Sequence, residues 1–278
     1  MKMLNILEKL GDTKFDFSQT NTRRESIFSI GQSGKAILTA ALPLGVIAAT
    51  GASAKANTTS VAGAASTATV IDVLNFALTL EYLEAQFYNM GVTSGVIANA
   101  DLAVFNQIRQ HENDHVTFLT NTIESLNGTP VNSPIFDFTA GGAFQPFVLY
   151  GDFLALAQAF EDTGVRAYKG QAGNLIGSDA ILTAALQIHS VEARHASEVR
   201  RLRTKNGLDT SKGWITGNSR GTLPAPTQAV YDGEQNLSQG GITNITSITT
   251  VSAAGCQEAF DEPLTDTQVL AIANLFIV

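Results

Sequence analysis

The chain has 278 residues, one cysteine and a formal net charge of −8 at pH 7, long enough for one well-buried helical domain with an appendage. The lone Cys256 excludes an internal disulfide and any four-cysteine metal module. Residues 57–278 carry a net charge of about −11, which disfavours nucleic acid and anionic membrane as partners.

Residues 1–56 read as an export segment. Thr22-Arg23-Arg24-Glu25-Ser26-Ile27 is similar to a twin-arginine motif, with Ser26 where an apolar aromatic is usual and Phe28 two residues late. Ala36 to Thr50 is weakly apolar, and Ala54-Lys55-Ala56 offers a small-x-small cleavage site. Lys35 and Lys55 bracket nineteen uncharged residues, enough to span a bilayer. The segment is therefore either removed or kept as a tether, and its small residues and Pro43 favour removal. The expected location is periplasmic or otherwise extracytoplasmic, with membrane contact only through this segment if it is retained.

Residues 57–68 form a small, polar linker. A first helix is predicted from about Thr69 to Met90, stopped by Gly91 as a C′ residue. A second runs from about Asp101 to Leu126, capped by Asn99 or Asp101 and ended by Gly128 and Pro130. A third starts at Pro146 and reaches about Gly170. A fourth is capped by Ser178 and ends at Gly207, with Arg200, Arg201, Arg203 and Lys205 complementing its C-terminal dipole. Between the second and third lie Gly128 to Gln145, eighteen residues that can travel the length of a helix of about 25 residues. Phe136, Phe138 and Phe144 should tack this crossover to the bundle. Residues 207–278 are loop-rich. Ile242, Ile245, Ile248 and Val251 suit either a helical turn or two or a loop. Thr265 or Asp266 caps a last helix ending at Leu275-Phe276-Ile277-Val278, packed on the bundle.

The chemistry lies in a repeat. Glu81, Tyr88, Glu112 and His115 recur eighty residues later as Glu161, Tyr168, Glu192 and His195. Ala77/Ala157, Gln107/Gln187 and Ile108/Ile188 share that lag, the mark of one duplicated supersecondary unit. On a helix, the Glu and His of Glu-x-x-His share one face and can reach the same metal. Two such motifs, each preceded by a Glu on another helix, make the set a dinuclear site in a four-helix bundle requires. Carboxylates with one imidazole per metal suit Fe or Mn, and the absence of thiolates argues against closed zinc sites. The segments around Glu81 and Glu161 are apolar almost all round, so these carboxylates face a core, where metal would neutralise them. His111 and His189 have no partner at the eighty-residue lag and read as supporting or surface groups. Glu84 could compete with Glu81 as a ligand, but its counterpart is Gly164, which favours Glu81.

At Leu80–Tyr88, Phe160–Tyr168, Val191–Ala196 and Ala259–Thr265 the chain resembles the ferritin-like superfamily of dimetal carboxylate proteins, and within it the bacterial ferritin-like proteins labelled desiccation-related. The resemblance covers about residues 66–278. It implies an all-α fold: a ferritin-like four-helix bundle over residues 57–206, with a long crossover between helices 2 and 3, and an extension over 207–278. It implies two Fe ions, with Mn as alternative. Glu81 and Glu161 would be terminal ligands, Glu112 and Glu192 would bridge, and His115 and His195 would bind one metal each. Tyr88 and Tyr168 would hydrogen-bond to carboxylates across the bundle, and no catalytic residue is assigned. The implied activity is oxidation of Fe(II) by a small oxidant, peroxide or dioxygen. The alternative is a non-enzymatic envelope stress protein whose metal is structural. The extension argues against a 24-subunit cage, leaving a monomer or small homo-oligomer.

Overall fold

The computed structural model describes residues 67–278; the expected export segment, residues 1–56, and most of the expected linker lie outside the described residues. Four long helices dominate it: α1 (Thr67–Ser94), α2 (Leu102–Ser125), α3 (Tyr150–Gln171) and α4 (Asp179–Lys205). Two short helices follow, α5 (Ala253–Gln257) and α6 (Asp266–Ala273). Among the described residues no β-structure extends beyond isolated bridges. The fold is an all-α helix bundle.

Helix directions follow from which residues meet. Ile71 lies beside Gly128, Glu81 beside His115 and Tyr88 beside Phe105, so α1 and α2 are antiparallel. Tyr88 bonds to Glu161 and Tyr168 to Glu81, so α1 and α3 are antiparallel too. Helices α2 and α3 therefore run the same way, and the chain between them must cover the bundle's length. Phe138 and Phe144 on this crossover are buried, and Phe136 packs against the same core.

Helix ends differ in detail from the sequence reading. Helix α1 does not stop at Gly91. A Cβ there would lie 2.2 Å from Cε2 of Phe153, so this glycine serves the close approach of α3, and the left-handed turn comes at Gly95 (φ 75°). Asp101 stands at the α2 cap position but makes no capping bond; its carboxylate instead accepts from Lys205 (2.6 Å), Asn206 (3.0 Å) and Tyr150 (2.8 Å), tying three helix ends together. The left-handed residue after α2 is Asn127 (φ 60°), and the Gly128 amide closes back on the Ile123 carbonyl at 2.9 Å in a Schellman arrangement. Pro146 opens a turn, not the helix: the Val148 and Leu149 amides bond to the Gln145 carbonyl before α3 begins at Tyr150. Ser178 precedes α4 without a side-chain cap, whereas Thr265 forms a full capping box with Gln268 at α6.

The extension is bound by buried polar groups and by an apolar seam. Arg200 and Arg203 do not simply complement the α4 dipole. Arg200 turns inward to Asp162, which also accepts from Tyr231 at 2.7 Å, and Arg203 reaches Gln158 (2.6 Å) and Asp209 (2.9 Å). Val269, Ile272, Ala273 and Phe276 join the same core cluster as α3. Beyond α6 the chain turns through residues 274–276 and then bridges to Phe136 at Ile277: Val278 N–H donates to Ile135 (2.9 Å) and Asp137 N–H to Phe276 (2.7 Å), pinning the crossover. Of the four isoleucine and valine residues spaced by three, only Ile245 is buried, on a single 3₁₀ turn.

Candidate metal centre

Each long helix sends ligand-type side chains to one point in the core. Helix α1 brings Glu81, α2 brings Glu112 and His115, α3 brings Glu161, and α4 brings Glu192 and His195. None of the four carboxylates is measurably exposed. Nδ1 of His115 lies 3.1 Å from Glu81 Oε2, 2.9 Å from Glu112 Oε2 and 3.4 Å from Glu192 Oε1. Nδ1 of His195 lies 2.9 Å from Glu112 Oε1 and 3.2 Å from Glu161 Oε2. One N–H cannot point at three oxygens. This crowding has the form of donors converging on a common centre rather than of hydrogen bonding.

The donors fall into two overlapping sets, Glu81–Glu112–His115–Glu192 and Glu112–Glu161–Glu192–His195, each with ligand atoms within 4.8 Å of one another. Glu112 and Glu192 belong to both, and the two oxygens of Glu112 face different imidazoles. Glu112 Oε1 and both Glu192 oxygens are buried with no well-directed hydrogen bond, although His195 Nδ1 stands 2.9 Å from the first. A buried carboxylate oxygen left so costs on the order of 1–3 kcal/mol or more, and a cation between the sets would satisfy all three. The residues fit a metal.

Surrounding groups fix the ligands. The Tyr88 hydroxyl donates to Glu161 and the Tyr168 hydroxyl to Glu81, so each tyrosine restrains the glutamate of the opposite hairpin. His195 turns its outer Nε2 to His111 Nδ1 at 2.9 Å, with the rings stacked at 5.1 Å, and Gln107 holds the far nitrogen of His111 at 2.8 Å. Such a bond to the non-ligating nitrogen orients an imidazole for metal. Val191, eighty residues on from His111, has no nitrogen to offer His115. His189 is bound to the Val165 carbonyl instead and takes no part.

Glu84, set aside in favour of Glu81, is a fifth buried carboxylate beside the cluster. A Cβ on Gly164 would stand 3.4 Å from Glu84 Oε1 and 3.0 Å from Glu192 Oε2. A glycine inside an apolar helix costs about 0.5–1 kcal/mol relative to alanine. Its place in the ligand register was the available signal that carboxylates crowd that spot.

Without metal the imidazoles serve as the cations. Burial disfavours their charge, but bonds to Glu112 and Glu81 raise His115 from 6.5 to about 10, and Glu161 and Glu112 raise His195 likewise. Glu112 falls to about 2 against its burial because both histidines donate to it. Burial lifts Glu81 to about 7 and, with repulsion from neighbouring carboxylates, holds Glu192 and Glu84 well above the usual range. Ligation needs neutral imidazole and ionised carboxylate. Divalent metal bound at pH 7 should therefore displace more than two protons, one from each imidazolium and others from Glu81 and Glu192, and affinity should rise with pH. Calorimetric titration in buffers of different ionisation enthalpy reads this number; no proton release would contradict it.

The fold and this cluster define a class: a four-helix bundle with a core of carboxylates and imidazoles able to hold metal. Residues 69–205 match the family model described as a ferritin-like domain, and this part of the chain belongs to that family. A comparison with curated proteins gives no match.

Proposed function

We propose that the protein is a dimetal carboxylate oxidoreductase of the cell envelope, oxidising Fe(II) with dioxygen or peroxide. The observation that carries this reading is the pair of donor sets sharing Glu112 and Glu192. Glu81 with His115, and Glu161 with His195, would each hold one ion, and the two shared glutamates would bridge. Four carboxylates balance two divalent cations, so the reduced site is uncharged and tolerates burial. When bound, ferrous ions supply the electrons for reducing the oxidant. The protein's part is to hold Glu81 and Glu161 through the crossed tyrosines, to orient His195 through His111, and to exclude bulk water. Mn would suit the same donors.

The test is anaerobic loading with ferrous iron, then addition of peroxide or dioxygen. A new near-ultraviolet absorption is expected. If two metals per chain are retained and no oxidant changes the spectrum, the metal is a structural pin and the stress-protein alternative stands. The envelope location rests on Arg23 and Arg24, and replacing both by Lys should strand precursor inside the cell; unchanged envelope localisation would point to another route.

A further inference from the structure

The two ends of the metal cluster are packed differently. Under the eighty-residue correspondence, Phe87, Phe105, Phe153 and Phe160 at the Tyr88 end match Ala167, Ala185, Val73 and Leu80 at the Tyr168 end. The four phenylalanines are almost wholly buried and in mutual contact, with Phe87 at 4.9 Å from Phe153 and 5.1 Å from Phe160, and Phe105 at 5.0 Å from Phe153. They fill their end. At the other end the smaller residues leave a crevice between the four long helices.

The crevice lies against the metal cluster. Ala77, Leu119 and Ile188 line it, and each is four residues, about one helical turn, from Glu81, His115 and Glu192 respectively. Tyr168 lines it too, and its hydroxyl is held by Glu81. Ala185 and the exposed Phe118 stand among its outer residues. Apart from Tyr168 and Gln171 the lining is hydrocarbon, and the space is wide enough for a diatomic molecule but too narrow for a bulky organic substrate. A hydrated ion or peroxide entering there would lose hydrogen bonds that nothing replaces. A small apolar gas would not, and dry apolar cavities take up such molecules. A second, more open hollow reaches His195 and is lined by Ile108, Gln107, His111, Arg194 and Glu198, whose polar groups would suit peroxide.

We infer that this crevice is a binding site for dioxygen, admitting it to the cluster from the Glu81–His115 side. The inference deepens the proposed oxidation and rests on it for its use, though not for its detection. Dioxygen dissolved under pressure is paramagnetic and broadens nearby methyl resonances of metal-free protein. The methyls of Ala77 and Ile188 should be broadened several-fold more than that of Ala157, the counterpart of Ala77 at the filled end. Ala185→Phe should abolish the difference. In ferrous protein it should slow oxidation by dioxygen about tenfold or more while leaving the peroxide reaction unchanged. Ala185→Leu is the milder plug should the ring unfold the helix.

Equal broadening at the two ends, or a difference that survives both plugs, overturns the inference. So would a co-purified lipid already shielding these methyls. If the broadening is as expected but ferrous protein reacts with neither oxidant, the binding site stands and the proposed oxidation falls.

Discussion

Glu112→Ala should empty both halves of the metal cluster, whereas Glu81→Ala should weaken mainly one. Glu112 presents Oε2 to His115 and Oε1 to His195, so its loss removes a donor from each set. Glu81 belongs to one set alone. Metal analysis should fall from about two ions per chain to near none in the first variant and to about one in the second. Both replacements leave a pocket in a tightly packed core, so circular dichroism must first show that the helices persist. About two ions per chain in folded Glu112→Ala would disprove the bridging role.

Arg166→Ala should be the most damaging change away from the cluster. The side chain is 1% exposed. It donates to the backbone carbonyls of Glu262 (2.7 Å), Asp232 (2.8 Å) and Val230, and pairs with buried Glu234 at 2.8 Å. Truncation strands three carbonyls and a carboxylate that burial already lifts to about 7. Removing one member of a buried pair costs about 3–5 kcal/mol, which for a domain of this size lowers the melting temperature by roughly 10 °C. Removing the charge on both sides, as Arg166→Met with Glu234→Leu, should recover part of that loss. A melting temperature unchanged in Arg166→Ala would mean the extension is not held this way.

The four helices were legible because each carries an apolar pattern much longer than its breaks. The cluster was legible because six ligand-type residues keep one spacing across eighty residues. What escaped depends on contacts between distant segments. Gly91 reads as a helix stop until Phe153, on another helix, occupies the place of its missing side chain. Asp101 reads as a cap until Lys205 and Asn206 claim its carboxylate. Arg200 and Arg203 look like dipole partners because nothing local says that Asp162 and Asp209 lie beneath them. His111 has no counterpart in the repeat, and its role exists only because α2 and α4 bring its ring flat against His195.

The crossed tyrosines have a consequence for self-sufficiency. Tyr88 meets Glu161 and Tyr168 meets Glu81, so adding eighty to one partner and subtracting it from the other returns the same contact. That reciprocity is the signature of an isologous dimer interface, here joined into one chain by the crossover. Each hairpin holds a glutamate that only the other's tyrosine restrains, and each donor set borrows a carboxylate across the divide. A hairpin alone is thus half of a symmetric lock, able to complete itself only against its own likeness.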